Sequence, residues 1–150
     1  MRDSAVFEPH PDRAGLLRWF EYRFGMASAA FTDFDFWQQP GKRTTWIARA
    51  GIVLPEGLEV MTVGLVALRD PPPRAKPTSV FLQRFGHLAT KGVQTIEDHE
   101  VEAFLAGTPR PADEGLNGYV IVRTARHVLG CGRVRDGELV TQLPRSWTGR

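Results

Sequence analysis

The chain has 150 residues, of which 42% are apolar, 24% charged and 10% aromatic, with a formal net charge of +2 at pH 7. This composition excludes a disordered or fibrous protein, and no apolar run approaches the ~20 residues of a membrane span. The single cysteine excludes an internal disulfide and a multi-cysteine zinc site. Because the first residues also lack the apolar stretch of a signal peptide, we expect a cytoplasmic protein.

The first half of the chain is predicted to open with a helix over residues 12–24. Asp12 is a good N-cap, apolar residues recur at helical spacing, and Gly25 is typical of the residue that follows a helix. A short helix or turn is predicted over 31–37. Two strands rich in β-branched and aromatic residues are predicted over 44–48 and 60–68.

Aromatic residues are concentrated in this half, where nine of the fifteen lie between Trp19 and Trp46. Such a cluster is either a platform on which nucleobases stack or the core of a small subdomain. We favour the core, because a subdomain of this size has few other residues with which to build one.

A stiff connector is predicted at 70–77, where the sequence reads Asp-Pro-Pro-Pro-Arg-Ala-Lys-Pro. Three consecutive prolines cannot continue a helix or donate to a sheet, so this stretch is expected to be extended. We therefore predict two units, an N-terminal subdomain over 1–73 and a second domain over 77–150.

The second half begins with two predicted helices. Thr78 or Ser79 caps a short helix that ends at Gly86, and Thr95 and Asp98 have the spacing of a capping box for the next. The buried stripe of this second helix is predicted to be Val101, Phe104 and Leu105.

From residue 118 onward the pattern is that of β-structure. Asp136-Gly137 is a hairpin turn, and Gly130 and Gly132 indicate close backbone approach within a strand. The predicted strands are 118–122, 128–134 and 138–143. The predicted fold class is thus α+β, with a small α/β subdomain followed by a small mixed β-barrel that carries one or two helices.

Catalytic motifs are not evident. Gly130-Cys131-Gly132 lacks the third glycine and the following helix of a dinucleotide site. Cys131 with His87 or His127 could form a nucleophile and base, but a small buried residue between two glycines is the favoured interpretation. The four histidines have no metal-ligand spacing, so no metal site and no cofactor are predicted. An enzyme with an unrecognised site is the least favoured hypothesis.

Charge is unevenly distributed along the second half. Residues 92–115 hold six acidic residues against one arginine, whereas residues 120–150 hold six arginines against two acidic residues. The acidic run suits an exposed helix N-terminus. The arginines form either a solvated strand face or a basic face for an anionic polymer.

Four segments of the second half resemble a PUA domain, the small RNA-binding β-barrel of RNA-modifying enzymes and ribosome-assembly factors. They are Gly86–Val93, Gly118–Val122, Leu129–Leu139 and Gln142–Arg145. Their order is similar to the C-terminal region of rRNA 5-methylcytosine methyltransferases of the Nop/Sun group, and Arg23-Phe-Gly25 resembles the segment before that domain in archaeal relatives.

This resemblance implies RNA binding without catalysis. The Nop/Sun enzymes carry a large S-adenosylmethionine domain that holds their catalytic cysteines, whereas Cys131 lies in a barrel strand here. A small α/β domain before a PUA domain is also similar to a stand-alone ribosome-assembly factor. We therefore expect a non-enzymatic RNA-binding protein that acts on structured rRNA or tRNA in ribosome assembly or RNA modification. The alternative is an accessory subunit that positions RNA for a separately encoded methyltransferase.

The predicted RNA-binding residues follow from the resemblance and from the arginine-rich hairpin. Thr90 and Lys91 match the PUA binding loop, and Arg133 and Arg135 share a face if their strand is regular. Trp147 either stacks on a base or covers the barrel end. The full predicted set is Thr90, Lys91, Arg123, Arg133, Arg135, Arg145 and Trp147.

Overall fold

The computed structural model describes residues 6–148, which form two five-stranded sheets with helices packed between and beside them. The helices are α1 (Arg13–Phe24), α2 (Ser79–Phe85), α3 (Val101–Leu105) and α4 (Arg145–Thr148). Short 3₁₀ turns lie at Ser28–Phe31, Gly86–Leu88 and Asp98–Glu100. Within residues 6–148, no helix has the length and apolar character needed to cross a membrane.

The first sheet is a regular antiparallel meander in the order β1-β2-β3-β4-β5. Its strands are β1 (Glu8–Pro9), β2 (Phe34–Gln38), β3 (Thr44–Arg49), β4 (Leu65–Arg69) and β5 (Lys76–Pro77). The last strand therefore lies inside the predicted connector. Proline at each outer strand leaves few free donors at the sheet edges.

The second sheet is mixed, with the order β6-β8-β9-β10-β7. Its strands are β6 (Val93–Thr95), β7 (Arg110–Pro111), β8 (Gly118–Arg123), β9 (Val128–Arg135) and β10 (Glu138–Thr141). Only the β6–β8 pair in this sheet is parallel. The sheet curls into a half-barrel around its own apolar cluster, which confirms the predicted α+β class.

Side-chain caps and terminal glycines in the sequence predicted the positions of α1 and α2 correctly. The Asp12 carboxylate accepts a hydrogen bond from the Gly15 amide at 3.0 Å, and Gly25 ends α1 in the left-handed conformation at φ 64°. The Thr78 hydroxyl caps α2 by accepting from the Phe81 amide at 3.2 Å. These interactions lie within a few residues of one another, so the sequence pattern contains them.

Four predicted elements differ from the structure. Residues 31–37 contain the end of a 3₁₀ turn followed by strand β2, because pairing with β3 and burial on both faces outweigh helical spacing. The strand predicted over 60–68 begins only at Leu65, after Gly64 turns the chain at φ 64°. The capping box is formed by Glu97 and Glu100, since Thr95 belongs to β6. Strand β10 ends at Thr141.

The predicted glycine and turn positions are confirmed. Asp136 and Gly137 both have positive φ, 52° and 78°, as the tight turn between β9 and β10 requires. A Cβ at Gly130 would lie 2.5 Å from the Ser79 hydroxyl oxygen of α2, and a Cβ at Gly132 would lie 2.6 Å from Leu139. Helix α2 can thus rest directly on β9.

Most aromatic residues of the first half form core, as expected, whereas Tyr22 is exposed. The ring centroid of Phe20 lies 5.4 Å from that of Phe31, 5.8 Å from that of Phe36 and 5.4 Å from that of Phe81 in α2. The same buried cluster includes Ile121 and Cys131 from the second sheet. One core therefore spans both sides of the predicted boundary, while the division into 1–73 and 77–150 stays a prediction.

Candidate nucleic-acid interface

The outer face of the second sheet carries a group of exposed cations. Strand alternation turns Val120, Val134 and Leu139 toward the interior cluster, and leaves Arg133 and Arg135 exposed on the opposite face of β9. Tyr119 on β8 lies directly opposite Arg133 in the register. The prediction that the two arginines share one face is thus confirmed.

Tyr119 is the point where cations from both sheets meet. The Arg133 guanidinium carbon lies 5.8 Å from the centre of the Tyr119 ring, and the Lys76 ammonium lies 5.7 Å from it. Lys76 belongs to β5 of the first sheet, and its ammonium also donates to the Gln142 side-chain oxygen at 3.1 Å. Cation–ring attraction of this kind holds flexible side chains near one position.

Arg23, in the last turn of α1, connects the helix to the start of β8. Its guanidinium donates to the backbone carbonyls of Asn117, at 2.8 Å, and Tyr119. Burial lowers the pKa of the Arg23 guanidinium from its ordinary value, while the Cys131 thiol and the Tyr22 phenol act in the opposite direction. Arginine nonetheless stays charged at neutral pH, so this end of the sheet has a fixed cation.

The loop matched to the PUA binding loop completes the C-terminus of α1. The backbone amides of Thr90 and Lys91 donate to the Phe24 carbonyl at 2.8 and 3.2 Å, and the Thr90 hydroxyl donates to the Gly25 carbonyl at 3.3 Å. Thr90 therefore has a structural role at the helix end. The Lys91 ammonium is exposed and lies 5.4 Å from the centre of the Tyr22 ring, near the Arg23 end of the cation group.

Three cavities lie along these residues, and each neighbouring pair shares one lining residue. The first, of about 420 Å³, is lined by residues that include Trp19, Arg23, Arg74, Tyr119 and Arg133. The second, of about 350 Å³, shares Arg133 with it and adds Arg135 and Gln142. The third, of about 300 Å³, shares Gln142 and adds Arg69, Lys76 and Trp147. We call these three together the basic groove.

The groove has more positive than negative side chains. Its cations are Arg23, Arg69, Arg74, Lys76, Arg133 and Arg135, and its carboxylates are Asp70, Asp136 and Glu138. Asp70 accepts from Arg43 at 2.6 Å, which offsets its charge. A concave cationic surface of this kind focuses positive potential and favours anionic polymers such as nucleic acids.

The structure brings together only part of the predicted RNA-binding set. Arg133, Arg135 and Trp147 line the groove, and Trp147 is 50% exposed beside Pro144. Arg145 lies on α4 with Trp147 but does not line a cavity of the groove. Arg123 lies at the other end of β8, where it donates to the Thr124 and Ala125 carbonyls.

Four groove cations come from the first half of the chain and were not predicted, namely Arg23, Arg69, Arg74 and Lys76. Two of them, Arg74 and Lys76, lie in the proline-rich connector, whose prolines indicated only a spacer. This segment was predicted to be extended, but the chain turns at residues 72–74 and only Lys76–Pro77 forms a strand. The basic residues among its prolines were the signal that the sequence offered for a binding surface.

Cys131 has the surroundings of a buried core residue. Burial raises the pKa of its thiol to about 12, against a weaker lowering by Lys76 and Arg23, so it is protonated at neutral pH. Its backbone amide donates to the Ser79 hydroxyl at 3.0 Å beneath α2. His87 and His127 are exposed. Over residues 6–148, no cluster of His, Cys, Asp and Glu could hold a metal ion.

A comparison with protein families gives a match for the second sheet and α4. Residues 92–148 match the PUA domain of methyltransferase RsmF, a segment that runs from the second sheet's first strand through α4. No curated protein matches the chain. The match confirms the resemblance, and it indicates RNA binding in the context of RNA methylation. Residues 92–148 therefore form a PUA domain of the type found in Sun/RsmF methyltransferases.

Proposed function

We propose that this chain is a non-enzymatic RNA-binding protein that acts on structured rRNA or tRNA during ribosome assembly or RNA modification in the cytoplasm. The observation that carries the proposal is the basic groove. It extends from the outer face of the PUA sheet onto α1, the proline-rich connector and the first sheet, and holds six cations against three carboxylates. Phosphate contacts of this kind position a structured RNA without reading its bases.

The state of the cysteine favours binding over catalysis. Methyltransferases of the resembled group use cysteine nucleophiles, and the only cysteine of this chain is buried under α2 with a pKa of about 12. A thiol in that state does not attack a base at neutral pH. We accordingly propose no cofactor for this chain. Isothermal calorimetry with S-adenosylmethionine should give no saturable heat, and micromolar binding would contradict this part of the proposal.

RNA binding itself is tested by fluorescence anisotropy of labelled rRNA and tRNA fragments at two salt concentrations. We expect the association constant to fall steeply with salt, because each phosphate contact displaces condensed counterions. Binding that does not depend on salt, or no binding to any fragment, would contradict the proposal. Crosslinking the protein to cellular RNA and sequencing the fragments then identifies the target.

A second candidate is an accessory subunit that positions RNA for a separate methyltransferase. It is favoured by the family match, because the matched PUA domain is named for a methyltransferase. Affinity purification of the tagged protein distinguishes the two roles. An accessory subunit should recover a methyltransferase in equal amount, whereas a protein that acts alone should recover RNA or ribosome-assembly proteins.

A further inference from the structure

We propose that the first cavity of the basic groove holds a single unpaired nucleotide of the bound RNA. This inference rests on the proposed function and specifies which feature of the RNA the protein reads. The cavity lies between the two halves of the chain, since its walls come from α1, the proline-rich connector and β8. Its volume of about 420 Å³ falls within the ~300–1,000 Å³ of sites that enclose small molecules.

The walls of this cavity offer both surfaces that a nucleotide needs. Trp19 and Tyr119 contribute partly exposed aromatic rings, and Arg23, Arg74 and Arg133 contribute guanidinium groups. Unpaired bases stack on aromatic rings and guanidinium planes, while the adjoining phosphate is attracted by the cations. A site for phosphate alone would need only the cations.

Asp70 gives a further reason to expect a nucleoside. It lines the same cavity, with a left-handed backbone at φ 61°, and one of its oxygens accepts from Arg43. A carboxylate repels phosphate but accepts hydrogen bonds from a ribose hydroxyl or a base N–H group. The side chains thus match a group that carries donors next to one phosphate.

Shape excludes a paired base from this position. A double helix presents a convex surface of phosphates, and its bases remain stacked inside. Only a nucleotide turned out of the helix, as in a single-base bulge or a loop, brings a base into a concave cavity. The cations outside the cavity, Lys76 and Arg135 among them, are then placed for the phosphates of the flanking helix.

The experiment compares two RNA hairpins that differ by one bulged nucleotide. We expect the protein to bind the bulged hairpin about tenfold more tightly than the fully paired one, which is what stacking of one base provides. With 2-aminopurine at the bulge, binding should change its fluorescence. Equal affinity for the two hairpins, together with unchanged fluorescence, would overturn the inference but leave RNA binding intact.

Arg74→Ala is the variant that separates recognition of the bulged nucleotide from RNA binding in general. Arg74 is exposed in the connector, so its loss should leave the thermal melt unchanged. We expect Arg74→Ala to bring the ratio of the two affinities close to one, because the loss of a phosphate contact weakens both hairpins alike while the loss of the nucleotide site weakens only the bulged one. Arg49→Ala is the matched control, because this exposed arginine at the end of β3 lines a different cavity, and the variant should keep the preference. An unchanged preference in Arg74→Ala would contradict the inference, and failure of wild type to bind either hairpin would overturn the proposed function as well.

Discussion

Side chains in this protein take their roles from their neighbours across the sheets more than from their own sequence context. Arg133 and Arg135 could be assigned to one strand face from the sequence because strand alternation is a local rule. The Tyr119 ring beside Arg133 and Lys76 could not be foreseen, because it depends on how β5 meets β8. Thr90, predicted to contact RNA, also completes the end of α1 through its backbone amide.

Charge reversal on the sheet tests the groove most directly. We expect Arg133→Glu with Arg135→Glu to weaken RNA binding at least tenfold, about 1.4 kcal/mol, and to reduce the salt slope by somewhat under one unit for each lost contact. Because both side chains are exposed, the melting temperature should change little. Mobility-shift assays at two salt concentrations measure the effect.

The matched control for that variant reverses two arginines outside the groove. Arg49 and Arg84 are exposed beside the apolar cavity at the end of β3. Arg49→Glu with Arg84→Glu changes the net charge equally and should bind RNA far better than the groove variant. Equal losses in the two variants would mean that only overall charge matters.

Trp147 has two possible roles that one substitution distinguishes. It is 50% exposed and lines the third cavity of the groove. If it stacks on a base, Trp147→Ala should cost about 1–3 kcal/mol of binding and leave the melt unchanged. If it covers the barrel end, the same change should lower the melting temperature and preserve binding. Anisotropy titrations run beside thermal melts decide between the two.

The buried thiol predicts a pH dependence of stability. Its pKa is raised from 9.0 to about 12 by burial, so above pH 9 the unfolded chain loses this proton while the folded protein keeps it. The free energy of unfolding should therefore fall between pH 9 and pH 10.5 more steeply in wild type than in Cys131→Ala. Urea titrations at several pH values measure this difference, and parallel curves would show that the thiol ionises freely in the folded state.

Secondary-structure elements whose ends are set locally were predictable, and those set by distant partners were not. Helices α1 and α2 begin at side-chain caps and end near glycine, which the sequence displays. Strand β2 was missed because its Phe-Asp-Phe-Trp-Gln segment has no clean alternation. Phe36 packs into the main core and Trp37 into a separate cluster on the other face, so both faces are apolar.

The junction between α1 and the loop at Thr90–Gly92 depends on a glycine. Gly92 has φ 69°, and a Cβ there would lie 2.9 Å from the Arg23 carbonyl oxygen. We expect Gly92→Ala to lower the free energy of unfolding by about 2 kcal/mol or more, measured by urea titration. Gly115→Ala is the control, because Gly115 has φ 88° with open space around it and should cost only about 1 kcal/mol. Equal losses of stability in the two variants would mean that the close approach of Gly92 to the Arg23 carbonyl does not affect the free energy of unfolding.

At the scale of the whole molecule, the main core contains residues from both units that the sequence predicts. Phe20, Phe31 and Phe36 from the first half pack with Phe81 and Phe85 of α2, and α2 rests on β9. The second half and its PUA character were accessible from sequence, because its strands, turn and glycines follow a recognisable order. The four groove cations that precede the second domain could not be predicted from sequence, since only the packing of the two sheets places them near Arg133. They are Arg23, Arg69, Arg74 and Lys76.

This shared core predicts that the first half does not fold alone. A fragment of residues 1–72 would lack Phe81, Leu82 and Phe85, and would expose the aromatic rings that they cover. We expect it to be unfolded or to aggregate, as measured by circular dichroism and size-exclusion chromatography beside the full chain. A cooperative melt of the fragment would show that the two halves are independent.

The hydrogen bonds of Arg23 also bear on how the protein matures during translation. The carbonyls that receive Arg23, in the last turn of α1, belong to Asn117 and Tyr119, which are synthesised 94 and 96 residues later. Until α2 and the second sheet are made, the aromatic face of α1 is covered only in part, by Phe31 and by Phe36 of β2, and the nascent chain presents the rest to solvent and to chaperones. The contacts of Arg23 can therefore form only after residue 119 has been synthesised. Synonymous codon changes that slow translation beyond residue 80 should lengthen the time for which the aromatic face of α1 is exposed and can aggregate.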